Sequence, residues 1–179
     1  KEVKSVGINY CLHKNEYNKR IVLQNIFELC EEIGVKLRRL NKKGRTIGIF
    51  IGGSIDIGKR KTFEEFVDSG SEIFERCRVI LSDENFFKSL KYYSRQISIW
   101  VGSLEDSKNL TPSLFDNTQK NGKLSKIIDK INDKFGDHTI RNGFLLYADK
   151  LTTLPNGYFG DTYERTKLAK EASLFFEKQ

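Results

Sequence analysis

Three observations predict an α+β fold. Four segments alternate apolar with polar or small residues, as half-buried strands do. Two further segments repeat apolar residues at helical spacing, and the order along the chain is β-α-β-β-α-β. Both helices are amphipathic and each strand keeps one polar or small-residue face. The expectation is therefore a four-stranded sheet with two helices on one face, its other face turned to water or a ligand, plus a small helical C-terminal extension.

The first strand is "SVGINYCL", where Val6, Ile8, Tyr10 and Leu12 alternate with Ser5, Gly7, Asn9 and Cys11. Asn15 is placed to cap the first helix, which the stripe Leu23, Ile26, Phe27, Cys30, Ile33, Leu37 and Leu40 carries from about residue 16 to 41, with Gly44 closing it. Gly34 interrupts that stripe at a cost of about 1 kcal/mol relative to alanine. "RTIGIFIGG" is the second strand, with Ile47, Ile49 and Ile51 on one face, and "GKRKTFEEF" is a weaker third. Ser71 is expected to cap "EIFERCRVILSDE", whose stripe is Ile73, Phe74, Cys77, Ile80 and Leu81. In the fourth strand, "YYSRQISIWVGSL", Ile97, Ile99 and Val101 oppose Ser98, Trp100 and Gly102.

The character changes after Leu104, so the expected division is a domain over 1–104, a polar linker over 105–122 and an extension over 123–179. Leu124, Ile127, Ile128, Ile131 and Phe135 make a helical stripe that Gly136 ends, and this helix needs a surface to pack on; "GFLLYA" downstream is the candidate. The tail closes with "EASLFFEKQ".

Lys and Arg total 31 against 24 Asp and Glu, a net charge of +7, which with 13 Phe and 7 Tyr suggests a polyanionic partner, nucleic acid first. Cys11, Cys30 and Cys77 show no metal-binding spacing and read as buried thiols in a reducing compartment, without zinc. No apolar run approaches the roughly 18 residues of a membrane span. The opening "KEVKSVG", with neither initiator Met nor signal peptide, is expected to be the start of a fragment of something longer.

Catalytic signals are sparse. "GGSIDIGK" lacks the spacing of a phosphate loop, and His13 and His138 are isolated. Phosphate-binding donors are more evident. Lys4 and Ser5 open the first strand, Lys59, Arg60, Lys61 and Thr62 the third, and Arg95 the fourth; all are expected to gather on the open face with Gly7 and Asn9. Glycines 7, 48, 52 and 102 keep that face low. Trp100 and Phe50 would pack against sugars there or be covered by the C-terminal segment; the second is the expectation.

"KSVG", "RTIGIFI", "KRKTF" and "RQISIWVGSL", in this order, resemble the little finger domain of Y-family translesion DNA polymerases. The downstream "SLFDN" and "KLSKIIDKINDKFG" are similar to the ultraviolet-damage-repair branch of Gram-positive bacteria. The resemblance implies a domain that grips primer–template DNA in a cytoplasmic enzyme of the SOS response. Magnesium would act only in a palm outside this chain, whose own cofactor complement is expected to be none. It also implies docking to the bacterial sliding clamp. In "TPSLF", Leu114 and Phe115 match the apolar end of a clamp-binding peptide, while Thr111 and Pro112 depart from its start; "EASLF", with Leu174 and Phe175, is a second degenerate copy. Two other readings stand beside this one: an RNA-recognition-type domain, which would need aromatics on its first and third strands at the sheet centre, and a protein-interaction scaffold with incidental charge.

Overall fold

The computed structural model describes residues 3–82, 93–110, 118–136, 139–146, 148 and 156–157. Strand β1 (Ser5–Glu16), helix α1 (Lys19–Arg39), strands β2 (Lys42–Gly53) and β3 (Ile57–Val67), helix α2 (Gly70–Ser82) and strand β4 (Ser94–Asp106) appear in the expected order. Helix α3 (Thr118–Phe135), a 3-10 turn (Gly143–Leu145) and a two-residue strand β5 (Asn156–Gly157) follow.

The sheet runs β3-β2-β4-β1-β5 and every pairing is antiparallel. The four expected strands gain a fifth at the outer edge of β1, where Ile8 faces Gly157 and Asn9 faces Asn156. The long strands at the centre are β2 and β4, the second and fourth in sequence. An RNA-recognition domain puts its first and third strands there, so the topology departs from that alternative.

Register explains the core. Val6–Val101–Ile47, Ile8–Ile99–Ile49 and Tyr10–Ile97–Ile51 form three rungs across β1, β4 and β2, all buried. Ile26, Leu29, Ile33 and Leu37 of α1, with Ile73 and Leu81 of α2, close over these rungs. Each such side chain contributes about 1.5–3 kcal/mol by leaving water. Cys30 and Cys77 meet inside this layer, and burial, followed by the hydrogen bond to Cys77, pushes the Cys30 thiol up. Cys11 is exposed on the opposite side of the sheet, contrary to the expectation of burial.

Element ends moved where tertiary contacts outweighed local signals. β1 continues through Asn15 to Glu16, because Glu16 pairs with Ser94 past an irregularity. The cap of α1 is consequently Asn18, whose side chain accepts a hydrogen bond from the Arg20 N–H at 2.9 Å. Ser71 lies inside α2, and the Ser69 carbonyl accepts the Ile73 N–H instead. Gly34 proves to be a contact requirement. A Cβ there would stand 2.8 Å from the backbone nitrogen of Gly70, so its glycine lets α1 and the start of α2 approach backbone to backbone.

The extension forms a further layer on the helices. Arg38 of α1 binds Asp129 of α3 through both carboxylate oxygens, at 2.6 and 2.7 Å, and donates to the Asp68 carbonyl at 2.7 Å. Arg39 pairs with Asp133 at 2.8 Å. Gln24 donates to the Phe144 carbonyl, Arg141 pairs with the buried Glu28 at 3.3 Å, and Phe144 meets the rings of Phe27 and Phe74. "GFLLYA" thus seats Phe144 and Leu145 on the helical layer of the domain, and α3 is tied to α1 by charge. The expected burial of the α3 stripe is partial: Ile128 and Ile131 are half-buried, whereas Leu124, Ile127 and Phe135 are 56%, 54% and 65% exposed. α3 also begins inside the segment expected to be linker, and β4 runs two residues past Leu104, where Lys43 faces Glu105 and Lys42 faces Asp106.

Candidate nucleic-acid interface

The sheet face opposite the helices is set by the same register that builds the core. Reading across β1, β4, β2 and β3, its rungs are Ser5–Gly102–Thr46–Thr62, Gly7–Trp100–Gly48–Arg60 and Asn9–Ser98–Phe50–Gly58. Cys11–Gln96–Gly52 makes a fourth. The Thr46 hydroxyl is hydrogen-bonded to those of Thr62 and Ser103, at 2.9 and 2.8 Å. The Asn9 amide oxygen accepts from Gln96 at 3.0 Å and from Ser98 at 2.9 Å. Glycine and short polar residues therefore leave a shallow floor, as expected.

The cations do not gather on it, and this corrects the sequence reading. Strand β3 alternates: Arg60 faces Gly48 and Thr62 faces Thr46 on the open side, whereas Lys59 faces Ile49 and Lys61 faces Ile47 on the helix side. The Lys61 ammonium lies 5.8 Å from the Phe63 ring, and Arg76 of α2 lies over the same ring at 4.7 Å. Lys4, one residue before β1, continues the parity of Val6, which is also the helix side. Arg95 sits where the β4 register slips against both neighbours, between Gln96 and Ser94, and donates to the Leu12 carbonyl. Of the expected donors, Ser5, Gly7, Asn9, Arg60 and Thr62 share the open face; Lys4, Lys59 and Lys61 do not, and Arg95, exposed at the register slip, falls outside the rungs of either face. The strand parity of "KRKTF", with Phe63 as the inward marker, carried this signal in the sequence.

What the run "KRKT" forms is an edge. β3 is the outermost strand on its side of the sheet, and Lys59, Arg60, Lys61 and Thr62 are all exposed along it. Cations thus project to both sides of one rim. The clamp-motif residues Leu114, Phe115, Leu174 and Phe175, with Thr111, Pro112 and His138, lie outside the described residues. Among the described residues no three His, Cys, Asp or Glu side chains converge as a metal site. No described helix is long and apolar enough to cross a membrane.

Residues 3–114 match the impB/mucB/samB family C-terminal domain. UvrX of Bacillus subtilis, named for UV-damage repair, is 30% identical over 125 residues, covering 64% of this chain and 28% of UvrX. DNA polymerase IV of Acetivibrio thermocellus is 29% identical over 155 residues, covering 80% of this chain and 37% of that protein. Among solved structures, a Y-family DNA polymerase chimera of Dbh and Dpo4 matches with a TM-score of 0.47 at 16% identity, over 57% of this chain and 29% of the chimera. The chain spans 28% and 37% of the two curated relatives.

Proposed function

Since the chain belongs to the impB/mucB/samB C-terminal domain family, the C-terminal domain of Y-family DNA polymerases, we propose that it holds primer–template DNA and tethers a translesion polymerase to a sliding clamp. The observation that carries the DNA reading is the rim of β3, where Lys59, Arg60 and Lys61 border a shallow sheet face. Cations on an exposed strand edge reach phosphates from two sides without reading bases. Extension of the primer, with magnesium as its metal, enters this proposal only as the work of a longer polymerase. The same holds for the SOS response and a cytoplasmic setting. Lys4, Ser5, Gly7, Asn9, Thr62 and Arg95 remain candidate phosphate contacts, from their several positions.

Edge lysines have another use: they discourage strand-to-strand aggregation. A triple substitution Lys59→Ala, Arg60→Ala, Lys61→Ala separates the two. For DNA binding, affinity falls alike for every duplex sequence, and the slope of log affinity against log salt drops by about 3, close to one per cation. An unchanged slope with new self-association would leave only the aggregation role and refute the phosphate contacts. A preference of the native chain for single-stranded RNA would point back to the RNA-binding alternative, and no binding to either at low salt to a protein scaffold.

The clamp reading rests on the sequence of Leu114 and Phe115. Two adjacent apolar anchors supply most of the energy when a short peptide fills a pocket. Leu114→Ala with Phe115→Ala is expected to abolish capture by a bacterial sliding clamp and leave duplex affinity unchanged. Full capture by the double variant would move the anchor elsewhere, with "EASLF" next to be tested.

A further inference from the structure

Two aromatic rings lie low on the open sheet face, and glycines make room for both. A Cβ at Gly48 would fall 1.9 Å from Cζ2 of Trp100 and 2.0 Å from Cε2, so the indole occupies the space directly above that residue. Phe50 lies between Gly52 and Gly58, whose added Cβ atoms would stand 3.0 and 3.2 Å from its ring. Trp100 is half-buried and central, on β4 between Gly7 of β1 and Gly48 of β2. The hydroxyls of Thr46, Thr62 and Ser103 run along one side of it, and the Asn9, Gln96 and Ser98 cluster along the other. In the rungs of this face Arg60 is the one charged side chain. The expected cover for Trp100, the C-terminal segment, is described only at Asn156–Gly157, and those residues extend the sheet beside β1.

We propose that this face, uncharged in its rungs apart from Arg60 at the rim, is a platform on which the deoxyribose rings of one DNA strand rest, with Trp100 as the central contact. The inference rests on the DNA reading above and divides its labour: the β3 rim supplies charge, and the platform supplies close, salt-insensitive contact. A flat indole laid against a sheet offers its full area to a sugar with little conformational freedom left to lose. The hydroxyl row of Thr46, Thr62 and Ser103 is bonded within itself and leaves one O–H to offer a phosphate oxygen beside the indole. With a single cation in those rungs, Arg60, ion release cannot dominate contact at Trp100.

The chain contains one tryptophan, so its intrinsic emission reports on position 100 without labelling. An unlabelled primer–template duplex is titrated into the native chain while emission is followed, and a fluorescein-labelled copy of the duplex gives binding independently by anisotropy. The expected result is an emission change that saturates together with the anisotropy. Trp100→Ala should weaken binding roughly tenfold, since stacking surfaces contribute on that scale, while the salt slope stays as in the native chain. Trp100→Phe, which keeps a flat ring, should retain most of the affinity. Gly48→Ala, which displaces the indole without removing it, should weaken binding as Trp100→Ala does. Anisotropy that saturates with no change in emission overturns the platform and leaves DNA binding by the rim intact. A Trp100→Ala chain that is folded and binds with native affinity does the same. Absence of any anisotropy change at low salt overturns the DNA reading itself, and the platform with it.

Discussion

Replacing Arg38 with alanine is expected to destabilise the fold by about 3 kcal/mol, because it strips the partner from a largely buried carboxylate. The Arg38 side chain is 7% exposed and joins three parts of the molecule: α1, which carries it, Asp129 on α3, and the Asp68 carbonyl in the turn that leads into α2. The opposing charges and the bidentate hydrogen bond to Asp129 hold the guanidinium above its ordinary range in spite of burial, which acts in the other direction. Lysine cannot reproduce the planar fork, so Arg38→Lys should recover little of the loss. A double change, Arg38→Met with Asp129→Leu, should recover part of it, since the Asp129 carboxylate is no longer left unpaired, while Glu31 and the Asp68 carbonyl still lose their cation. Urea unfolding followed by circular dichroism reads all three variants. A loss below about 0.5 kcal/mol for Arg38→Ala, the range of ordinary surface substitutions, would mean that the pair does not hold α3 to the domain.

The same variant should carry a pH signature. Burial raises the carboxyl of Glu31, and Arg38 partly offsets this. With its folded value raised above the unfolded one, Glu31 binds a proton more tightly in the folded state, so stability falls as the pH rises through that window. Removing Arg38 raises the folded value further. The part of the deficit that comes from Glu31 is therefore full above that value and disappears below about pH 4.5, the ordinary glutamate range. A deficit independent of pH would remove Glu31 from this account.

Leu145→Ala is the second large effect, about 3 kcal/mol, the usual scale for a buried leucine cut back to alanine. Leu145 is 3% exposed and belongs to the same apolar cluster as α1 and α2, although it lies in the extension beyond α3. Its neighbour Phe144 meets Phe27 and Phe74 with ring centroids 5.6 Å away in each case. Hydrogen exchange should show protection lost first across Arg141–Leu146. Because none of these residues belongs to the β3 rim or to the open sheet face, duplex affinity should be unchanged at temperatures where the variant is folded. Native protection in the variant would show that the extension is held by its polar contacts alone, Gln24 to Phe144 and Arg141 to Glu28.

Alternation and helical spacing by themselves determined the order of the first six elements, the inward residues of β1, β2 and β4, and the open floor of small and polar residues. Those are local properties: the pleat sends neighbours to opposite faces, and 3.6 residues per turn collects a stripe. The sequence also carried enough family signal to indicate a polymerase C-terminal domain, which the match over residues 3–114 shows. Tertiary structure alone decided which strands lie side by side, and so placed β2 and β4 at the centre and the "KRKT" run on an edge. It set the register slips that lengthen β1 to Glu16 and turn Arg95 toward the Leu12 carbonyl. It also gave Gly34 a purpose, the close approach to Gly70, and brought Phe144 onto Gln24, 120 positions away in the chain. Contacts of that separation depend on how whole elements pack, and no short window of residues encodes them.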